Sequence, residues 1–372
     1  MDDKKQKRRV VSSWSKLDEI EGMVEPDAGE EALMNCLKTP SPSINWAFAQ
    51  PGWGLPFGAG ALWYGPPKGG KSVLVSATIG QLHADDPTAK AIKLDSELRS
   101  KFQLSATNMR KFGIDPKRFK ARDTNVPSEI FDFIEYDVAA LCEAGENIKL
   151  VIIDSLSGIQ GRRTLDADTV DTQQRGDHAL TIKDGLMRIL PVIRRHNIAL
   201  LCTTHVRAEQ DTQEAKKSGS VKMQAGWATK HIFEYFCYIE RNEWKDGKMS
   251  LLNEEFNDPA VKDLMDKAQR TGHKMRFCVE DSSFPYAGRT AEFTLNYDDG
   301  IVNQYEEIFQ LALNHGVIQK PSAAYYKIGE DTYHGAVKCL TAIRDNTELQ
   351  EKLLRDVKMI DFKRIKGIKD SE

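Results

Sequence analysis

The sequence predicts an α/β protein: one doubly wound, mostly parallel sheet with an antiparallel extension, a short N-terminal helical segment and a small helical C-terminal region. Three observations carry this prediction. The stretch Gly65-Pro66-Pro67-Lys68-Gly69-Gly70-Lys71-Ser72 joins the apolar run Ala61 to Tyr64 to a helix-like run from Ser72 to Ala84. Leu150 to Ile153 and Ile198 to Thr204 are unbroken apolar runs, as strands buried on both faces must be, and helical periodicities alternate with them. Beyond about residue 230 strand-like runs follow one another, separated once by a charged insertion with a helix-like stretch from Pro259 to Gln269, and look like an antiparallel extension.

Length and composition bound the rest. With 372 residues and 40% hydrophobic positions, the chain can bury one large α/β core with smaller attachments. Three regions are expected: an N-terminal tail and helical segment over 1–40, the core over 41–304 and a C-terminal region over 305–372. The formal net charge of -3 gives no global basic field, which leaves nucleic acid to a local basic groove. The six cysteines are scattered without a C-x-x-C pair, so neither a zinc site nor a disulfide framework is expected, and a reducing interior fits best. No run approaches the roughly 18 apolar residues of a membrane span, so a cytoplasmic protein is expected.

In chain order, the first nine residues are almost wholly charged or polar, a tail too polar to fold alone. Trp14, Leu17, Ile20 and Met23 then recur at helical spacing, followed by Ala32, Leu33 and Leu37. Thr39 to Ser43, with two prolines, marks a boundary. After the glycine-rich stretch come a strand over Ala91 to Asp95, a helix near 105–112 and a strand around Phe119. A helix over 128–144 carries Ile130, Phe133, Ile134, Val138 and Leu141 on one face. The strand Leu150 to Asp154 leads into a polar stretch over 160–176, longer than an ordinary connection. Asp177 is placed to cap the next helix, whose buried stripe is Ile182, Leu186, Ile189, Leu190 and Ile193 and which Pro191 should bend. A strand over 198–204 ends at His205, and a second long polar stretch runs to about Gln224. Strands over 232–244, 274–281 and 291–297 form the antiparallel extension around a charged insertion, and helical runs fill the chain from Tyr305 on.

The glycine-rich stretch fits G-x-x-x-x-G-K-[ST], a backbone that curls its N–H groups around phosphates where a Cβ would obstruct. Placed between a strand and a helix, it is far more specific than an ordinary glycine-rich turn. Gly65, Pro66, Pro67, Lys68, Gly69, Gly70, Lys71, Ser72 and Val73 are therefore the candidate nucleotide contacts. Lys71 would reach the outer phosphates and Ser72 would ligate Mg²⁺. Asp154 closes an apolar strand, where an acid either caps a turn or holds Mg²⁺, partly through water, opposite Ser72. Glu97 follows another strand end and is either a solvated loop acid or the base that activates a water against the γ-phosphate of ATP. His205 is either a satisfied core side chain or a sensor at the root of the second polar stretch.

Taken together, these residues resemble the RecA recombinase superfamily, most closely its UvsX-type bacteriophage branch. The matching pieces appear in family order: Ser43-Ile44-Asn45-Trp46-Ala47, Gly54-Leu55-Pro56-Phe57-Gly58, the phosphate loop, Leu94-Asp95-Ser96-Glu97, Phe112-Gly113-Ile114-Asp115, Val151-Ile152-Ile153-Asp154-Ser155-Leu156 and Thr204-His205. Similarity extends through Asp299-Gly300-Ile301 and 311–316, so it covers nearly the whole chain. The resemblance implies a RecA-like P-loop ATPase core, and a DNA-dependent ATPase with ATP and Mg²⁺ as its cofactors. It implies catalytic Glu97, Lys71 and His205, with His205 as the sensor between γ-phosphate and DNA loops. The implied activity is filament formation on single-stranded DNA, with pairing and strand exchange against double-stranded DNA in recombination and repair. Single-strand-binding and mediator proteins are further implied partners, and a phage-infected cell the implied setting.

The two long polar stretches match the family's DNA loops. The first carries Arg162, Arg163 and Arg175; the second carries Arg207, Lys216, Lys217 and Lys222, cations suited to sequence-independent phosphate contact. Acids interspersed in both leave a solvated loop as the alternative. The N-terminal stripe either packs on the chain's own core or, as the resemblance favours, docks on the next subunit. The chain also departs from the family. Val279-Glu280-Asp281-Ser282-Ser283 stands where relatives place inter-subunit cations, which leaves Lys274, Arg276 and Arg289 as replacements. The usual adenine-stacking tyrosine is missing from its place, with Phe102 as the candidate replacement, and the insertion over 245–272 has no counterpart. A regulatory nucleotide-binding protein that hardly hydrolyses, or a ring helicase on the same core, are the competing readings.

Overall fold

The computed structural model describes residues 32–161, 176–208, 221–223, 231–241, 272–296 and 299–368. The Trp14 to Met23 stripe, Arg162, Arg163, Arg175, Lys216, Lys217 and the bulk of the insertion lie outside them.

Residues 32–34 are helical, but Leu37 leaves that spacing for a short strand. β1 (Cys36–Leu37) pairs with β2 (Leu55–Pro56), and Leu37 packs in the main core. Between them Ser41 caps the helix Pro42–Ala47, accepting the Ile44 N–H at 3.1 Å, with Pro42 at its first position. The main sheet is built from β3 (Gly60–Gly65), β4 (Lys90–Asp95), β5 (Phe119–Asp123), β6 (Ile148–Asp154), β7 (Ala199–Ala208), β8 (Val221–Met223), β9 (Tyr235–Arg241), β10 (Gly272–Ser282), β11 (Thr290–Asn296) and β12 (Gly300–Val302). Among the described residues its order is β12-β11-β10-β9-β3-β7-β6-β4-β5, with β8 on β7. From β5 to β9 every pair is parallel; β10, β11 and β12 add on antiparallel. The expected extension is therefore present, except that β9, assigned to it from sequence, runs parallel to β3 with Ala61 opposite Tyr235.

Alternation along the strands divides the core. Trp63, Leu150 and Ile152 face one side with Leu74 and Ile79 of the helix Lys71–Asp85. Leu62, Val151 and Ile153 face the other with Ile130, Ile134, Ile182 and Leu186. Residues 150–153 are fully buried, as strands covered on both faces require. The helix expected over 128–144 is a segment Pro127–Asp132, a π-helical turn Phe133–Val138 and a segment Ala139–Glu143. Ile134 and Val138 stay buried while Leu141 is exposed, because the wider turn rotates the last segment's face. The helix Asp177–Arg195 buries its predicted stripe. Its cap is Gly176, at φ 89°, and Asp177 is the first helical residue. Pro191 lies on the exposed face and the helix continues through it.

The strand expected to stop at His205 runs on to Ala208 and turns back through β8, with Val206 opposite Met223 and Arg207 opposite Lys222. Two candidate DNA-binding positions thus share one rung of a hairpin rooted at His205. The C-terminal region has its helices, Gln304–Asn314, Ala336–Arg344 and Thr347–Lys366. It also has a sheet that periodicity missed, β13 (Gln319–Ser322), β14 (Tyr325–Ile328) and β15 (Asp331–His334). Four-residue strands are too short to show alternation above loop noise.

The last helix is locked to the core through Asp361, which is fully buried. Its carboxylate accepts Trp53 Nε1–H at 3.1 Å and both arms of Arg289, at 3.0 and 2.9 Å. Burial opposes its charge, but hydrogen bonds from His315 and Arg289 hold its pKa below the usual value. Arg289 also donates to the Trp46 carbonyl at 2.9 Å and lies over the Trp46 ring.

Candidate active site

Strand register places the chemistry on one edge. Gly65 at the end of β3 is opposite His205 on β7, and Asp154 at the end of β6 is opposite Asp95 on β4. The carboxyl ends of four adjacent strands therefore meet beneath the glycine-rich loop, the usual place for a ligand in an open α/β sheet. Within the loop, Gly70 sits at φ 88° immediately before the helix, a backbone region that favours glycine. Gly65 is required for another reason: a Cβ there would lie 1.9 Å from the Ile239 carbonyl oxygen of β9.

Lys71, 5% exposed, folds back over the loop. Its Nζ donates to the carbonyls of Gly65 at 3.0 Å and Pro66 at 2.9 Å, and lies 3.3 Å from His205 Nδ1. Burial lowers its pKa to about 8, against the pull of Asp154 and Glu97. An ammonium has only protons to give, so Nδ1 accepts and the imidazole proton is assigned to Nε2. Nε2 then donates to Glu97 Oε1 at 2.6 Å. Glu97 also takes the Ser155 hydroxyl at 3.2 Å and pairs with Arg99 at 2.9 Å. The His205 hydrogen bond, with Arg99 and Ser155 assisting against desolvation, brings its pKa down to about 2. Lys71, His205 and Glu97, three residues from three distant segments, form one hydrogen-bonded chain.

Ser72 is half-buried in the first turn of the helix that Lys71 begins. Asp154 is buried; its Oδ1 accepts the Thr203 hydroxyl at 2.5 Å and its Oδ2 pairs with Lys93 at 3.0 Å. The Asp154–Ser155 peptide is cis. Phe102 is not drawn into this chain of contacts: it is 79% exposed on the short helix Ser100–Gln103. Of the replacement cations, Arg289 is spent on Asp361 and Arg276 pairs with Glu240 at 3.5 Å. Lys274 lines a cavity of about 530 Å³ with Trp46, Glu306 and Glu307. Glu280 accepts the Tyr64 phenol, and burial followed by this bond pushes that phenol's pKa up.

Sequence reasoning missed Lys93, Ser155 and Thr203. Lys93 had a signal: a lysine in the middle of an apolar strand must find counter-charges. Among the described residues no group of three or more His, Cys, Asp or Glu could by itself hold a metal ion. No described helix is long and apolar enough to cross a membrane.

No family model matches the chain. It is 21% identical over 323 residues to Protein RecA of Oleidesulfovibrio alaskensis, an alignment covering 87% of this chain and 82% of that protein. To Protein RecA of Wolbachia pipientis subsp. Culex pipiens it is 23% identical over 272 residues, covering 73% of this chain and 67% of that one. With a parallel sheet flanked by antiparallel strands, and with these two distant similarities across most of its length, the chain has a mixed α/β fold consistent with a RecA-like core.

Proposed function

We propose that the chain is an ATP-dependent recombinase, a DNA-dependent ATPase that polymerises on single-stranded DNA and pairs it with double-stranded DNA, of the UvsX-type phage branch. The observation that carries this reading is the Lys71–His205–Glu97 chain beneath the phosphate loop. The donor set also fits Mg²⁺, a hard cation bound through few protein oxygens and the substrate's phosphates: the Ser72 hydroxyl and the Asp154 carboxylate. Mg²⁺ held by these two oxygens would supply neutralisation of the phosphates' charge.

The residues divide the work. Backbone N–H groups of residues 65–73 receive the phosphates, and Lys71 exchanges two loop carbonyls for phosphate oxygens. His205, released from Lys71 by the same phosphates, turns its hydrogen bonding toward the γ-phosphate. Glu97, freed from His205, accepts a proton from the attacking water. Because His205 lies on the strand that continues into the β7–β8 hairpin, this rearrangement reaches Arg207 and Lys222. A base otherwise bound to His205 is a weak one, which couples hydrolysis to the state of that hairpin.

The test is direct: purified protein with ATP and single-stranded DNA should form filaments visible by electron microscopy and hydrolyse ATP faster than without DNA. Rings in place of filaments would favour the helicase reading. Binding and assembly with negligible turnover would favour the regulatory one, which the commitment of Arg289 to Asp361 supports.

Replacing Lys216, Lys217 and Lys222 with Ala should weaken single-stranded DNA binding about equally for all sequences. It should flatten the salt dependence by roughly 0.7 log units of slope per lost contact. An unchanged slope would make these lysines solvated decoration. The N-terminal segment is proposed to dock on the next subunit, a head-to-tail contact that propagates. Since Leu37 belongs to the core, the truncation that tests this removes residues 1–31. Sedimentation with ATP and DNA should then find a folded protein whose filaments are lost or much shortened; filaments of full length would place the contact elsewhere.

A further inference from the structure

We propose that Lys93 is the resident cation of the Asp95–Asp154 carboxylate cluster, a positioning residue that ties Asp154 to the Glu97 segment and sets how strongly the cluster draws a divalent cation. This rests on the nucleotide-hydrolase reading above. Lys93 Nζ spends its three protons on Asp154 Oδ2 at 3.0 Å, Asp95 Oδ2 at 3.1 Å and Gln103 Oε1 at 2.9 Å. All three charged side chains are almost wholly buried, at 4% exposed for Lys93, 1% for Asp95 and 7% for Asp154. An amine that directs all three of its protons to two carboxylates and an amide oxygen is an ammonium, so it is charged.

The contacts run onward into the site. Asp95 Oδ1 accepts the Glu97 N–H at 3.0 Å and its Oδ2 accepts the Ser100 hydroxyl at 3.0 Å. The turn that carries Glu97 therefore hangs from Asp95, and the helix Ser100–Gln103 hangs from Lys93 through Gln103. On the other side Lys93 holds the carboxylate oxygen of Asp154 that Thr203 does not. Two carboxylates against one ammonium leave the cluster a single net negative charge. A divalent cation approaching Asp154 thus meets a fixed positive charge about 3 Å behind the carboxylate, and unit charges at such range interact strongly in a dry site. Lys93 in this way holds the acid in place while moderating its pull.

A purely structural ion pair would alter stability and leave the cation requirement alone, so the requirement is the readout. ATP binding to the full-length protein is followed by calorimetry as a function of Mg²⁺ concentration. Lys93→Met should lower the Mg²⁺ needed for half-saturation by about tenfold, because one compensating charge at short range is lost. Lys93→Met combined with Asp95→Asn restores the net charge and should return the requirement to near the wild-type value. A folded Lys93→Met protein with a wild-type requirement overturns the proposal, as does a double variant that stays shifted. If Lys93→Met does not fold, Asp95→Asn alone decides: it neutralises the cluster and should raise the Mg²⁺ requirement by about tenfold, and no change overturns the proposal. Wild-type protein that binds no ATP at any Mg²⁺ concentration would instead sink the nucleotide reading itself.

Discussion

Lys71→Ala should reduce ATP hydrolysis by roughly 10³-fold or more and weaken nucleotide binding, since on the proposed reading it deletes the ammonium that meets the outer phosphates. The structure sharpens this expectation. Lys71 Nζ already serves the Gly65 and Pro66 carbonyls and His205 Nδ1, so the variant also removes the donor that orients the histidine. A thermal melt on the same preparation separates lost chemistry from lost fold, because the helix Lys71–Asp85 keeps its packing through Leu74, Ile79 and Leu82. Normal turnover in a folded variant would remove the phosphate-loop assignment and, with it, the recombinase reading.

Glu97→Gln should behave differently. Its amide oxygen still accepts from His205 Nε2 and from Ser155, so the turn keeps its shape and nucleotide should bind nearly as in the wild type. Hydrolysis should fall by roughly 10²- to 10⁴-fold, the range for a lost general base. Single-turnover kinetics with saturating ATP measure the chemical step directly. A variant that hydrolyses at the wild-type rate would show that another group activates the water. While His205 is bound to it, Glu97 has its pKa held down to about 2; once freed from His205 it should titrate higher, so activity that falls with acid as Glu97 protonates is the expected pH profile.

Much of the fold was legible because it rests on local patterns. The loop over 65–72, the doubly buried strands at 150–153 and 199–202, and the stripe on Asp177–Arg195 each announce themselves within a short window. The placement of the candidate site residues was legible for the same reason: Asp154, Glu97 and His205 follow apolar strands, and strand ends in an open sheet point toward one edge. Features that depend on a partner far along the chain were not. β7 outruns its apolar stretch because β8 returns to pair with it. The sheet over 319–334 forms from strands too short to signal. Arg289 looked like a free cation until Asp361, 72 residues on, proved to hold it.

By itself the sequence determined the secondary-structure alternation, the glycine-rich loop between β3 and its helix and which residue types stand at the strand ends, since these follow from period, spacing and backbone preference within a few residues. Only the tertiary structure decided what those residues do to one another. It made Gly65 a packing requirement of β9, linked Lys71, His205 and Glu97 in one chain, and set a buried lysine between Asp95 and Asp154. The reason is physical: hydrogen bonds and buried charges act over about 3 Å, and strand order alone brings segments more than a hundred residues apart within that reach.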